Sequence, residues 1–275
     1  MILLIWSILI NIIKILAPGL IIAAIVYFDR QTRAIFKREV SGYFNSPVAY
    51  IIIIFFLLVI QCFTFLFGRF LENNDASLGG AFFMWHPWIY MVLAPAVGMR
   101  LWSEEHRLGT FELMMTMPVS PWRAIVGKFL ASATVWYVAL MLTCPIVITV
   151  FYLGQPDPGP IYSAYYASFL YAMSCLAVTC AVSAFTRSQV ICFIISVSVC
   201  LALTLLGMQQ VVETIVKAVP SSLESAVRFV AYLCFLTHFY DMSKGVVVVK
   251  DLLYFLSVIT VCLMITSFAL QARRA

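Results

Sequence analysis

Long stretches without a single charged side chain constrain this chain more than any other feature. Residues 48–68 (VAYIIIIFFLLVIQCFTFLFG), 161–186, 188–212 and 252–270 contain no Asp, Glu, Lys or Arg, and neither does Phe129–Leu153 within the longer segment 124–153. A sixth segment, 82–101, is apolar but carries Pro87 and Pro95. Crossing the roughly 30 Å hydrocarbon core of a bilayer takes roughly 20 apolar helical residues. A backbone inside that core must satisfy its own hydrogen bonds, so each such segment is expected to be helical. The fold class expected is therefore all-α: a polytopic integral membrane protein with a six-span domain over 48–275. Composition agrees, with 64% of residues hydrophobic and 11% charged, against about 25% charged in a soluble protein.

The charged residues sit between the spans, and their placement predicts orientation. Arg30, Arg33, Lys37, Arg38, Arg100, Arg107, Arg123, Lys128, Arg187, Arg273 and Arg274 fall on one side of a six-span chain. Arg69, Lys217, Arg228, Lys244 and Lys250 fall on the other. The richer side is expected to be cytoplasmic, and six spans then return the C-terminus to the cytoplasm. The net charge of +5 follows this scatter and forms no basic face, so no nucleic-acid partner is expected.

Residues 1–28 form a further hydrophobic segment, broken by Lys14 and Pro18–Gly19. The segment lacks a basic n-region and an A-x-A site, so it does not read as a cleavable signal peptide. An extra N-terminal hydrophobic helix is expected, as a span, an interfacial segment or an extension. Residues 29–47 follow. Within them Ile35, Phe36, Val40, Tyr43 and Phe44 recur near helical spacing among Lys37, Arg38 and Glu39, as in an amphipathic helix lying on the cytoplasmic interface against lipid headgroups. In span four Ala164, Ser168 and Ala172 form a small-residue face suited to close helix packing.

The connection 102–123 is short and dense in charge. Glu104, Glu105, His106 and Arg107 form a polar cluster, Gly109 is free to adopt a left-handed backbone, and Thr110 stands where it would cap a short helix holding Phe111, Glu112, Leu113, Met114 and Met115. Ser120–Pro121 then reads as a helix start. Adjacent helical positions point in different directions, which weighs against a catalytic or metal cluster at Glu104, Glu105 and His106. On the opposite side, 213–251 is expected to hold an outer loop and helix, opened by a capping box at Ser221–Glu224. His238, Asp241 and Lys244 are read there as structural surface residues.

Several function classes lack their signatures. No GxxxxGK[ST], HExxH or GxSxG sequence occurs. The eight cysteines form no CxxC pair, so zinc and redox motifs are absent. The spans contain almost no ionisable residues, which argues against a proton- or sodium-coupled pump. A polytopic membrane enzyme and a secondary transporter remain as alternatives.

WSEEHRLGTFELMMTMPVSPWRAIVGK (102–128) resembles the signature loop of type-2 ABC exporter permeases, in which an acidic pair, an arginine, Gly-Thr, Glu, an apolar patch, proline and Gly-Lys recur in that order. The gliding-motility-associated ABC permeases are the most similar group. FKREVSGYFNSPVAYI (36–51), FTRSQV (185–190) and HFYDMSKGVVVVKDLLYFL (238–256) are similar to that group in the same order. The resemblance implies a six-helix permease core and a non-catalytic, multi-pass subunit of the bacterial inner membrane. It implies no cofactor on this chain, because ATP would be bound by separate cytoplasmic ABC ATPase subunits. It also implies a second permease chain, identical or related. A coupling helix near 103–116 would meet the ATPase through Glu104, Glu105, His106, Arg107, Gly109, Thr110 and Glu112, His106 standing where a basic residue is usual.

Overall fold

The computed structural model describes residues 16–70, 72, 78–109, 120–154, 156–206, 208–218 and 232–272. The described residues are helical, with no strand among them. The N-terminal segment contributes α1, Ala17–Phe28. At 12 residues it is shorter than a bilayer crossing, and residues 1–15 lie outside the described residues. Helix α2, Arg30–Asn45, follows Asp29, whose carboxylate accepts from the Thr32 N–H at 3.1 Å and the Thr32 hydroxyl at 2.8 Å. This satisfies one of the donors that every helix start leaves open. Ser46 adopts an extended backbone (φ −96°, ψ 142°), as the residue before a proline must. Ser46 therefore ends α2 and lets Pro47 open α3, Pro47–Cys62, which runs on through a π-helical turn at Phe63–Phe67.

Span two is longer than 82–101. It runs over Leu78–Leu108 through the short α4, Leu78–Ala81, a 3-10 turn at Phe83–Trp85, then α5, His86–Gly98, and α6, Arg100–Leu108. Pro87 lies in the first turn of α5, where its missing N–H is not needed, and Pro95 is the proline inside the helix. Span three divides into α7, Pro121–Met141, and α8, Cys144–Leu153. Proline interruption is thus not confined to span two, because Pro145 opens α8. Span four is the single helix α9, Pro158–Phe185. Span five is α10, Gln189–Leu205, followed by α11, Gln209–Ala218, with an 82° bend between them. On the described part of the connection between spans five and six lies α12, Phe235–Ser243, and α13, Val249–Ala272, is span six. The capping box at Ser221–Glu224 lies outside the described residues. Among the described residues, five helices are long and apolar enough to cross a membrane, and six if the bent pair counts as one span.

The bundle is built around α9. Its apolar window is 83% buried, against 22% for spans one and six, so α9 is central and those two are peripheral. Ala164, Ser168 and Ala172 are all buried, and α9 packs against α5, α7, α10, α12 and α13. The approach to α5 is so close that a Cβ added at Gly98 would lie 2.8 Å from Thr179 Cγ2. The peripheral spans expose rows of large apolar side chains, among them Ile51, Phe55 and Leu58 of α3 and Val261, Met264 and Phe268 of α13. A surface of that size and composition suits hydrocarbon rather than water.

Candidate functional site

Following the spans alternately up and down places α2, α6 and the start of α7 at one end of the bundle, the end richer in Lys and Arg. The sequence folds this way because each helix has its own start signal: Asp29 caps α2, and Pro121 occupies the first turn of α7. α2 lies against α7 at a glycine. A Cβ at Gly127 would stand 3.1 Å from Ile35 Cγ2 and 3.3 Å from the Thr32 carbonyl oxygen. Polar contacts fasten the same pair of helices, with Arg123 Nε 3.2 Å from Asp29 Oδ2 and Arg123 Nη1 donating to Gln31 Oε1 at 2.5 Å. Hydrogen bonds from Thr32 and the nearby Arg123 charge hold the Asp29 carboxyl below its ordinary value.

The centre of the site is Lys128, whose side chain is only 3% exposed. Its ammonium donates to Glu105 Oε1 of α6 at 2.8 Å and lies 3.2 Å from Glu39 Oε1 of α2. The Trp102 ring centroid is 5.4 Å from the same nitrogen, within range of a cation–π contact. Arg38 Nη2 bonds Glu39 Oε1 at 2.8 Å and approaches Glu105 Oε1 at 3.9 Å. Two cations therefore face two carboxylates, and the group is neutral. Burying Lys128 without these partners would carry a desolvation penalty of several kcal/mol, so the cluster ties α2, α6 and α7 into one joint.

Along α6 a second pairing runs towards its exposed end. Glu104 accepts from Arg100 Nε at 3.0 Å, one turn earlier, and Arg107 Nη2 lies 3.8 Å from its other oxygen. Arg107 and Leu108 are exposed, and Gly109 ends the helix in the left-handed conformation (φ 70°, ψ 8°). A Cβ there would meet no atom within 4 Å, so Gly109 is required for its backbone and not for space. Between α2 and α6 lies a cavity of about 230 Å³, lined by Glu39, Tyr43, Arg100 and Glu104. Burial pushes the Tyr43 phenol above its ordinary value.

Of the residues singled out in the sequence, Glu104, Glu105, His106, Arg107 and Gly109 lie on α6 and at its end, as a helical continuation of span two. Thr110 and Glu112 lie outside the described residues, as do Phe111, Met114 and Met115. The structure joins both Glu105 and Glu39 to Lys128, and Glu104 to Arg100. Lys128 and Glu39 were not picked out as site residues. The signal for Lys128 is its place as a lone charge near the start of an otherwise uncharged span, and Glu39 carries none beyond its place in a charged helix. Among the described residues no three His, Cys, Asp or Glu side chains converge as metal ligands would. The chemistry available at this end is ionic fastening, with an exposed helix terminus presented outward.

Comparison with curated proteins returned no match. Residues 33–273 match the family described as ABC-2 family transporter protein, a stretch that covers every span and starts within α2. The chain belongs to this ABC-2 transporter family, as a multi-pass membrane permease component of an ABC transporter, a class that works in association with an ABC ATPase subunit.

Proposed function

We propose that this chain couples ATP hydrolysis by a separate ATPase to export through α6 and the segment that follows it. The Lys128 joint carries this reading. The exposed end of α6 is rigidly continuous with span two, and Glu105 is fastened to span three and to α2. Force applied at Glu104, Glu105, His106, Arg107 and Gly109, and at Thr110 and Glu112 beyond them, would be delivered to two spans at once. ATP changes the permease only if the ATPase contacts α6 differently in its two states.

The end bearing α2 and α6 is cytoplasmic in this reading, by the bias of Lys and Arg. The membrane is the bacterial inner membrane, and the C-terminus is cytoplasmic. A second permease chain, identical or related, meets part of the exposed apolar surface of the peripheral spans, and lipid covers the rest. Nucleotide binds the partner ATPase and no cofactor binds this chain. Within the family, the likeness to gliding-motility-associated permeases is a likeness of sequence and assigns no role in motility.

Charge reversal of Arg107 to Glu, at the exposed end of α6 and outside the Lys128 joint, tests the reading. The variant should insert normally and lose most of the stimulation that the permease gives to its co-purified ATPase. Unchanged ATPase stimulation with normal insertion would reject the coupling role.

A further inference from the structure

The cavity between α2 and α6 lies where two membrane spans meet the charged end of the bundle. Its wall carries Ser46 and Val48 at the start of span one, Arg100 and Leu101 of span two, and Glu39 and Tyr43 of α2. Val48 opens the uncharged run 48–68, and Tyr50, Ile51 and Ile54 just beyond it are exposed. A polar cavity therefore stands beside an apolar helix face that suits hydrocarbon. Its volume of about 230 Å³ is below the roughly 300–1,000 Å³ of pockets that enclose a drug-sized ligand. The space suits a headgroup whose chains stay outside.

The polar groups of the wall carry both signs, and the described contacts use only part of each. Arg100 gives two of its five donors to Glu104, at 3.0 and 3.4 Å. Arg38 and Lys128 both meet Oε1 of Glu39 and not Oε2. The Ser46 hydroxyl accepts from the Val48 N–H at 3.4 Å, a bond that does not use its own hydrogen. The Tyr43 hydroxyl reaches the Val97 carbonyl at 3.5 Å, beyond the normal range for O–H···O. Burial lifts the Tyr43 phenol, with Glu39 adding to the effect and Arg100 opposing it, so the hydroxyl keeps its hydrogen beside both charges.

Donors and acceptors are thus divided as a phosphate followed by an ammonium requires. The Arg100 fork, with the Ser46 and Tyr43 hydroxyls, suits phosphate oxygens. Glu39 and Glu104 suit a cation that donates hydrogen bonds, which a primary ammonium does and a trimethylammonium does not. A quaternary ammonium is instead held by aromatic faces, and Tyr43 is the one aromatic ring in the described lining. An anionic headgroup without a cation would bring its charge against two carboxylates.

We infer that the cavity between α2 and α6 binds a phospholipid with a zwitterionic phosphoethanolamine headgroup, whose acyl chains lie along the exposed face of span one. Bound there, the lipid ties α2 to spans one and two from the hydrocarbon side. The inference rests on the chain's place in a membrane and stands whether or not α6 contacts an ATPase.

Gly42 gives access to the site without disturbing the Lys128 joint. It lines the cavity, and a Cβ there meets no atom within 4 Å. Gly42→Leu therefore places a side chain in open space, at a helical position where leucine is favoured over glycine. The full chain, stripped of lipid in detergent, is melted with dioctanoyl phosphatidylethanolamine, phosphatidylcholine or phosphatidylglycerol, and with soluble glycerophosphoethanolamine. A ligand of the folded state raises the melting temperature by mass action. The ethanolamine lipid should raise that of the wild type by about 5 °C, the other two lipids by about half as much or less, and glycerophosphoethanolamine by about 1 °C or less. Gly42→Leu should melt at or above the wild type without lipid and lose the preference for ethanolamine. Equal shifts with all three lipids, no shift with any, a full shift with glycerophosphoethanolamine, or an undiminished ethanolamine preference in Gly42→Leu would each overturn the inference.

Discussion

The ammonium of Lys128 in span three donates to the carboxylate of Glu105 at 2.8 Å, and through that contact the start of one membrane span is fastened to the helical extension of another. Glu39 of α2 lies 3.2 Å from the same nitrogen, so the three helices share one buried cation. Partial rearrangement of this contact would move all three together.

Lys128→Met should lower the stability of the protein by about 3 kcal/mol, because the half-exposed Arg38 is then the one cation left to two carboxylates. Adding Glu39→Gln and Glu105→Gln to the same chain should recover most of the loss, since the uncompensated charge is what destabilises. Apparent melting temperature in detergent, followed by tryptophan fluorescence, distinguishes the two. No recovery in the triple variant would mean that packing of the lysine stem, and not its charge, holds the joint.

Gly127→Leu should force α2 away from α7, since even a Cβ there stands 3.1 Å from Ile35 Cγ2. Overpacking of this kind costs about 1–3 kcal/mol. Ile35→Ala should relieve part of it, because that substitution removes Cγ2 and leaves the Cβ of residue 35 at 3.2 Å and the Thr32 carbonyl oxygen at 3.3 Å. Distances between spin labels placed on α2 and α7 provide the check: longer in the single variant, and shorter again in the double.

What was legible in the sequence divides along physical lines. Spans one, four and six could be read closely because an uncharged run of 19 residues or more, as in 252–270, has one stable home and one stable conformation. The sequence pattern ends span two at 101 and gives a helix near 103–116 only through the resemblance, so the continuation of span two over Arg100–Leu108 was hidden by the charges of Arg100, Glu104, Glu105 and Arg107. Glu104 is paired along the helix by Arg100 and Arg107, but Glu105 is held against the bundle by the tertiary partners Lys128 and Arg38. The break at Leu142–Thr143 had a visible cause in Pro145, but the absence of charge across Phe129–Leu153 outweighed it. His238 was read as a loop residue because its partner Asp251 lies 13 positions away, on the other side of a Gly-Val stretch. The neutralisation of a buried charge depends on three-dimensional neighbours, which a linear pattern does not record.

Gly109→Ala should destabilise the end of α6 by about 1 kcal/mol, the penalty for placing a Cβ at a left-handed position. Since no atom lies within 4 Å, the effect should be confined to the last turn, near His106–Leu108. The expected result is faster amide exchange there with an unchanged melting temperature. Exchange spreading into α5 would show that α5 and α6 unfold as one unit.

Gly98→Leu should act differently, because its obstacle is the central helix: a Cβ would lie 2.8 Å from Thr179 Cγ2 and 3.1 Å from Leu176 Cδ1. Both spans are rigid there, so the protein should insert poorly or melt several degrees lower. Thr179→Ala should restore part of the loss, as read by folded yield on size-exclusion chromatography.

The most direct test of the central claim is photo-crosslinking in living cells from position 107, where the Arg107 side chain is 60% exposed at the end of α6. With a photoreactive amino acid at this position, ultraviolet light should join the chain to a cytoplasmic ABC ATPase, identified by mass spectrometry. Labelling of the same position by a membrane-impermeant reagent added outside intact cells, or adducts to lipid alone, would contradict it.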